Sequence, residues 1–317
     1  MKRFIGYFRE FHREYFSLKA YSLGLLFMGA LIALNYSIDL EDSIIDSYRG
    51  SLWHTVLFIA IHAFAWFVVF FIFQYAGKKK VVMSKEAWLK LSLGFLIVGL
   101  DRSFYYHKGI LESLSTPETY RYIARVAHNL LPIITVMAPL FIIRFVFDQD
   151  SGEGLYGLRF RHTNISAYWV MLALMVPVVY AASLTQDFID YYPVYKRSGG
   201  ALFASAMGIP ELWAKIAFEV AYLMNFIFVE LLFRGFLIIG LSRLLGGNAV
   251  FAMAATYCVY HFGKPMGETI SSIFGGYILG VIALYSRNIY GGVFIHGGIA
   301  LLMEVFAMLQ QPVQVVK

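Results

Sequence analysis

The sequence has 317 residues, of which 59% are apolar and 15% are charged, with a mean hydropathy of +0.65. A soluble domain carries about a quarter charged residues, so this composition excludes a soluble globule, and an aromatic content of 18% excludes a disordered chain. The single cysteine, Cys258, excludes a disulfide framework and a cysteine-rich metal site. The composition indicates a protein that lies in a lipid bilayer.

The chain contains nine apolar runs near the length that a membrane-spanning helix requires, roughly 20 residues for a hydrocarbon layer of ~30 Å. In chain order they cover about residues 18–37, 53–76, 87–106, 126–147, 166–184, 214–240, 248–263, 268–286 and 289–308. The third run is the weakest, because Asp101 and Arg102 interrupt it. The sequence therefore predicts an all-α fold, a polytopic membrane helical bundle with eight or nine transmembrane helices.

The segment before the first run, Met1 to Lys19, is charged and aromatic. It lacks the short apolar core followed by small residues that marks a cleavable signal peptide. We therefore expect an amphipathic helix that lies at the membrane interface and leads into the first spanning helix.

Basic residues indicate orientation, because loops rich in Lys and Arg stay on the cytoplasmic side. The N-terminal segment and the loop after the second run are basic, whereas the first loop is acidic. The basic positions are Lys2, Arg3, Arg9, Arg13 and Lys19 in the segment and Lys78, Lys79, Lys80, Lys85 and Lys90 in the loop region. This pattern predicts a cytoplasmic N-terminus. The net charge of +6 then indicates contact with anionic membrane lipids rather than with nucleic acid.

Two of the ionisable residues of the sixth run lie in its second half, well inside the membrane, where such residues are costly and therefore indicate function. Glu230 and Arg234 are four residues apart, so they share a face of the helix and can pair with each other. The alternative interpretation is a structural pair that anchors helix packing.

A histidine near the end of the seventh run is predicted to lie beside this pair. Gly246 and Gly247 are a turn signal, which makes the sixth and seventh helices an antiparallel hairpin. Glu230 lies 16 residues before Gly246 and His261 lies 15 residues after it, so the hairpin brings both to the same depth. The alternative for a single intramembrane histidine is hydrogen-bonded packing.

The last run contributes His296, which glycines flank on both sides. Small residues let membrane helices approach closely, and His296 lies about 12 Å along the helix from Asn288. We therefore expect Glu230, His261 and His296 to converge in the cytoplasmic half of the bilayer. One carboxylate and two imidazoles suit acid–base hydrolysis with Glu as the base for water, or a divalent metal held as His₂Glu.

Three motifs around these residues resemble those of one protein family. The family pattern is E-E-x-x-x-R on one helix, F-x-x-x-H on the next and H-x-x-x-N on a later one. Glu230 and Arg234 match the first motif. Tyr257 and His261 match the second with Tyr in place of Phe, and His296 matches the third. The sequence thus resembles the CAAX protease and bacteriocin-processing family of glutamic-type intramembrane endopeptidases.

The resemblance covers about residues 214–308 and implies a division of the chain. Residues 1–165 are expected to hold N-terminal transmembrane helices with the amphipathic N-terminal segment. Residues 166–317 are expected to form a CAAX-protease-like transmembrane core.

The sequence departs from the family pattern at two positions. Val229 replaces the first Glu, which the family is understood to use to activate water, and Ala300 replaces the Asn of the third motif. Glu268, seven residues after His261, is the nearest candidate to replace the missing carboxylate. The alternative role for Glu268 is at the N-terminus of the eighth helix, where a negative charge is favourable.

The resemblance implies an integral-membrane endopeptidase that cuts a peptide bond of a membrane-associated or lipidated protein or peptide. Glu230 would act on water with His261, Arg234 would fix the carboxylate, and His296 would stabilise the oxyanion. No organic cofactor is implied, a divalent metal remains an alternative, and the expected location is the bacterial inner membrane. A second hypothesis is a catalytically inactive member that serves as a membrane scaffold, binding or immunity protein.

Overall fold

The computed structural model describes residues 2–149, 152, 154–159 and 165–310. Over these residues it contains fifteen α-helices: α1 (Lys2–Tyr15), α2 (Leu18–Ile38), α3 (Leu52–Ala76), α4 (Lys85–Ser103), α5 (His107–Leu114), α6 (Pro117–Leu130), α7 (Ala138–Phe147), α8 (Ser166–Ala182), α9 (Gln186–Tyr191), α10 (Gly200–Met207), α11 (Glu211–Glu230), α12 (Ser242–Leu245), α13 (Asn248–Val259), α14 (Met266–Ser286) and α15 (Tyr290–Gln310). Three π-helical segments (Leu40–Ile45, Ile133–Met137 and Leu231–Gly240) and two 3₁₀ turns (Asp46–Tyr48 and Val194–Arg197) lie between them. The predicted all-α class is confirmed, while residues 311–317 of the predicted core lie outside the described residues.

Six helices in the described part of the chain are long and apolar enough to cross a membrane. They are Leu18–Ile38, Leu52–Ala76, Pro117–Phe147, Glu211–Gly240, Met266–Ser286 and Tyr290–Gln310. The predicted count of eight or nine is not confirmed, because three of the apolar runs do not meet this standard. The run in α4 carries too much charge, and α8 and α13 have only 17 and 12 residues.

The chain divides into two compact units. The first unit comprises Met1–Phe104, Ile134–His162 and Val229–Gly292. The second unit comprises Tyr105–Ile133, Thr163–Phe228 and Val293–Lys317. Helix α11 ends at the boundary, so that its last two residues, Val229 and Glu230, belong to the first unit.

Helix α13 forms the centre of the first unit. All of its twelve residues are buried, and it packs against α3, α14 and the π-helical segment Leu231–Gly240. Twelve residues span only about 18 Å, which is too short to cross the bilayer, so α13 fills the interior of the protein instead of facing lipid. This explains why its apolar run looks like a spanning helix in the sequence.

The predicted reversal before α13 is confirmed at Gly246 and Gly247. Gly246 has a φ of +60°, a conformation that residues with a side chain rarely adopt. A Cβ atom at Gly247 would lie 2.7 Å from the ring of Tyr15 and 2.8 Å from the ring of Phe11, both on α1. The turn therefore requires glycine both for its backbone angle and for the close approach of α1.

Helix α1 has the amphipathic character expected from the sequence. Phe11 is its buried residue, and α1 packs against α14, where the rings of Tyr7 and Tyr285 stack with centroids 5.4 Å apart. Arg3 and Arg9 lie on its exposed surface.

The second unit has two apolar clusters. One is formed by Tyr122, Tyr195, Ala204, Ala214 and Phe218. The other is formed by Val179, Phe188, Tyr192, Met303 and Ala307. The hydroxyl of Tyr122 donates to the carbonyl oxygen of Ala214 at 2.6 Å, which fixes α6 against α11 inside this unit.

Candidate active site

Glu230 and Arg234 form a buried ion pair, as their spacing predicted. Arg234 Nη1 lies 2.9 Å from Glu230 Oε1, and the two side chains are 1% and 0% exposed. Glu230 is the last residue of α11, and Arg234 lies in the π-helical segment Leu231–Gly240 that follows. Segments of π-helix are rare and frequently occur at functional sites, and nothing in the apolar sequence of this run indicated one.

Tyr257 links this ion pair to His261. The guanidinium carbon of Arg234 lies 4.0 Å from the centroid of the Tyr257 ring, within the range of a cation–π interaction. The ring of His261 packs edge-on against the same tyrosine, with centroids 4.5 Å apart. The structure thus brings Glu230, Arg234 and His261 into one cluster around the residue that replaces the phenylalanine of the family motif.

The hydrogen bonding of His261 determines which of its ring nitrogens can act as a base. His261 is 4% exposed and lies in the turn between α13 and α14. Its Nδ1 lies 2.8 Å from the carbonyl oxygen of Tyr257, and since that oxygen can only accept, Nδ1 carries a proton. In the neutral ring Nε2 is therefore left as the acceptor, and it faces Glu268 Oε1 at 3.9 Å.

Glu268 lies in the first turn of α14 and also beside His261. This position is compatible with both predicted roles, a partner of His261 and a negative charge at the helix N-terminus. Its side chain is 13% exposed, and the ammonium group of Lys264 donates to its Oε1 at 2.6 Å. Lys264 was missed as a site residue by the sequence analysis, although its spacing of four residues from Glu268 is the signal that could have found it.

Gly292 provides room for the carboxylate of Glu230. A Cβ atom at this position would collide with Glu230 Oε2. The prediction that the glycines before His296 permit close helix approach is confirmed here, where the start of α15 meets the end of α11.

His296 and Ala300 lie in the second unit. The half-buried ring of His296 packs against Phe226, with centroids 4.3 Å apart. Ala300 is buried, as is Val229 in the first unit, so both departures from the family motif put apolar side chains in the interior. The convergence of His296 with Glu230 and His261 stays a prediction.

An acidic loop adjoins the turn that carries His261. Gly263, with φ +76°, approaches this loop so closely that a Cβ atom would lie 3.1 Å from Glu41 Oε1 and from Asp42 Oδ1. Burial raises the pKa of Glu41 to about 7, even though its ion-pair partner Arg102 acts in the opposite direction.

No group of three or more His, Cys, Asp or Glu side chains that could hold a metal ion occurs among the described residues. The alternative of a His₂Glu metal site at Glu230, His261 and His296 therefore gains no support from the described part of the chain.

Comparison with known proteins shows which family the segment around this site resembles. Residues 211–302 match the family model described as type II CAAX prenyl endopeptidase Rce1-like. The matched segment contains all five predicted site residues: Glu230, Arg234, His261, Glu268 and His296. Neither the comparison with curated proteins nor the comparison with solved structures found a significant match.

The match confirms the resemblance to the CAAX protease and bacteriocin-processing family that the motifs predicted. Together with the six apolar helices, it indicates an integral membrane protein of the CAAX-protease kind, a family not known to need a cofactor. The matched segment covers less than a third of the 317 residues.

Proposed function

We propose that this protein is an integral-membrane endopeptidase that hydrolyses a peptide bond of a membrane-associated or lipidated protein or peptide. The observation that carries the proposal is the buried ion pair of Glu230 and Arg234, joined through Tyr257 to His261. A carboxylate with a dedicated cation beside an imidazole is a suitable arrangement for acid–base chemistry on water.

In the proposed reaction, Glu230 accepts a proton from water while the water oxygen bonds to the carbonyl carbon of the substrate. The ring of His296 donates a hydrogen bond to the oxyanion that forms. When this intermediate collapses, the carbon–nitrogen bond breaks. The proton held by Glu230 then passes, directly or through His261, to the leaving nitrogen.

Arg234 and Glu268 are assigned supporting roles in this reaction. Arg234 fixes the carboxylate of Glu230, which a planar guanidinium does with defined geometry. Glu268 faces Nε2 of His261 at 3.9 Å and would orient the ring or a water molecule between the two groups. This role would compensate for Val229, which stands where the family has its first glutamate.

The proposed setting is the bacterial inner membrane, with the N-terminus in the cytoplasm. In this setting α4 and α8 would also cross the membrane and bring the number of transmembrane helices to eight, while α13 would be embedded without crossing it. Residues 1–165 would form the N-terminal helices, and residues 166–317 the protease-like core. Membrane lipids and a protein or peptide substrate would be its partners.

The second candidate function is that of a catalytically inactive scaffold, binding or immunity protein. The buried apolar side chains of Val229 and Ala300 favour this candidate, since each replaces a polar group of the family motif. Loss of one oxyanion donor alone costs roughly 10²–10³ in rate in a well-studied protease.

Cleavage by the purified protein in detergent separates the two candidates. The probes are a farnesylated, quenched-fluorescent peptide that ends in a CAAX sequence and a library of membrane peptides. We expect the wild type to cut at least one of these probes and Glu230→Gln to lose roughly 10²–10⁴ of the rate, the range of general acid–base catalysis.

Glu219→Gln is the matched control, because it makes the same change on the same helix α11. We expect this variant to keep the wild-type rate. Equal cleavage by wild type and Glu230→Gln would overturn the assignment of the base. If the wild type cuts neither probe while a Val229→Glu, Ala300→Asn double variant does, the inactive binding protein is the correct function.

A further inference from the structure

The turn that carries His261 is bonded to a helix far away in the sequence. The hydroxyl of Tyr36, near the end of α2, donates to the carbonyl oxygen of Lys264 at 2.5 Å. It also lies 2.7 Å from the hydroxyl of Thr269, which in turn donates to the carbonyl oxygen of His261 at 2.7 Å. The phenol group thus bonds to the turn at Lys264 and also contacts the threonine whose hydroxyl donates to His261.

The Thr269–His261 bond is buried, whereas the two contacts of the Tyr36 hydroxyl are half-buried. Thr269 is 0% exposed and His261 is 4% exposed. A half-buried carbonyl that loses its donor regains only part of that hydrogen bonding from water. The Tyr36 hydroxyl is therefore the donor to the carbonyl oxygen of Lys264, the residue that follows Gly263, the left-handed residue of the turn.

The residue before His261 is fixed from a second helix of the first unit. The hydroxyl of Tyr260 donates to Asp101 Oδ2 at 3.1 Å, and Asp101 also accepts from Thr135 at 2.5 Å. The guanidinium carbon of Arg102 lies 5.0 Å from the centroid of the Tyr260 ring. With Tyr260 held in this way, the Tyr36 contacts restrain the rest of the turn.

We propose that Tyr36 is a positioning residue of the active site, whose hydroxyl holds the turn so that His261 faces Glu268 and the Tyr257–Arg234 cluster. The proposal rests on the proposed function, and it assigns a role to a residue of the N-terminal helices, outside the matched segment 211–302. Tyr36 acts through Thr269 and Lys264 and touches none of the reacting groups named above.

The test compares Tyr36→Phe with Tyr21→Phe, which removes the same atom from the same helix. Tyr21 lies 15 residues earlier, about 22 Å along α2. Its hydroxyl is 2.8 Å from that of Tyr277, so this control also loses one hydroxyl–hydroxyl contact. Neither change alters the shape of the ring, and both full-length proteins are studied in detergent.

Two quantities are measured for each variant. Hydrogen exchange reports on the turn, whose Phe262 and Lys264 amides donate to the carbonyl oxygens of Val259 and His261. Steady-state cleavage of the probe peptide that the wild type cuts fastest gives kcat and KM separately. In Tyr36→Phe we expect these amides to exchange roughly tenfold faster and kcat to fall roughly tenfold, with KM within about twofold. In Tyr21→Phe we expect exchange of the turn and both kinetic constants to stay within about twofold of the wild type.

The two measurements fail in different ways. If the turn exchanges at the wild-type rate in Tyr36→Phe, the proposal about Tyr36 is overturned, whatever the activity. If exchange rises while kcat stays unchanged, Tyr36 is a structural residue only, which also overturns it. A wild type that cuts no probe overturns the proposed function, and the exchange rates then still decide whether Tyr36 holds the turn.

Discussion

Each unit of the molecule buries a glutamate on a helix long enough to cross the membrane, but the two carboxylates have different partners. Glu230 in the first unit is 0% exposed and pairs with the guanidinium of Arg234. Glu304 in the second unit is 2% exposed and accepts from the backbone N–H groups of Val194 and Tyr195, at 2.6 Å and 3.5 Å. The charge of Glu230 is balanced by Arg234, whereas Glu304 accepts hydrogen bonds from the backbone of a turn.

The surroundings sharpen this difference. Glu304 adjoins a second carboxyl group, Glu219, with which it interacts electrostatically, and one cation, Lys215. Two carboxylates that adjoin each other repel when both are ionised. A glutamate that anchors a turn works in either protonation state, whereas a base for water must bear its charge. The comparison therefore explains why we assign catalysis to Glu230 and a structural role to Glu304.

The largest expected effect is on the first carboxylate. Arg234→Ala would leave Glu230 as a buried charge without its cation, and breaking such a pair costs about 3–5 kcal/mol. Arg234→Lys should restore only part of the stability, because the planar fork of the guanidinium is lost. Thermal unfolding in detergent measures both variants. If Arg234→Ala melts at the same temperature as the wild type, Glu230 does not depend on its cationic partner, which contradicts the difference between Glu230 and Glu304.

A third glutamate, Glu41, tests how far an arginine partner can offset burial. Its pKa is about 7, above the ordinary 4.5, because burial outweighs the ion pair with Arg102 and two further acids, Asp42 and Asp46, lie nearby. Between pH 4.5 and pH 7, Glu41 thus keeps its proton in the folded protein and releases it in the unfolded chain. Stability should therefore fall by about 3 kcal/mol as the pH rises from 4.5 to 7.

The control for this pH dependence is Glu41→Gln, which cannot titrate. Denaturation midpoints across pH 4 to 8 should decline less steeply in this variant than in the wild type. Parallel curves for the two proteins would show that Glu41 keeps an ordinary pKa. In that case Arg102 alone would offset the effects of burial and of the neighbouring acids on this pKa.

Gly292→Ala tests the space beside Glu230. The added methyl group would collide with the carboxylate, and overpacking of this kind costs about 1–3 kcal/mol. Gly275→Ala on α14 is the matched control, because a Cβ atom there meets nothing within 4 Å. The control should be neutral or slightly stabilising, since alanine favours helix. Equal stability of the two variants would mean that Glu230 can move away from Gly292.

The smallest effect is expected at the second carboxylate. Glu304→Gln keeps an amide oxygen that can accept from Val194 and Tyr195, so we expect a loss of less than about 1 kcal/mol and a normal rate of cleavage. A loss as large as that of Arg234→Ala would show that Glu304 needs its charge as Glu230 does.

Local spacing made much of the candidate site predictable. The four-residue interval of Glu230 and Arg234 predicted their pairing, and the glycines at 246 and 247 predicted the hairpin that brings His261 near them. The length of α13 was not predictable, because an apolar run has the same composition whether protein or lipid surrounds it. The π-helical segment after Glu230 was not predictable either, because its apolar residues do not differ in composition from those of an α-helix in the same run.

Contacts between distant parts of the chain were the other feature that spacing could not predict. Tyr36 and Thr269 are 233 residues apart, and their contact depends on how α2 packs beside the start of α14. A tyrosine near the end of an apolar helix is equally typical of the membrane interface. Only the folded structure distinguishes a tyrosine at the membrane interface from one that contacts the turn carrying His261.

The most direct test of the central claim is a single-turnover cleavage in water labelled with ¹⁸O, with the new carboxyl group of the product analysed by mass spectrometry. If Glu230 acts as a base for water, the product of the first turnover carries one ¹⁸O atom, and Glu230→Gln gives almost no product. An unlabelled first product would mean that the new oxygen comes from a carboxylate of the enzyme that attacks the substrate, and not from water. That result, or labelled product from Glu230→Gln at the wild-type rate, would contradict the account.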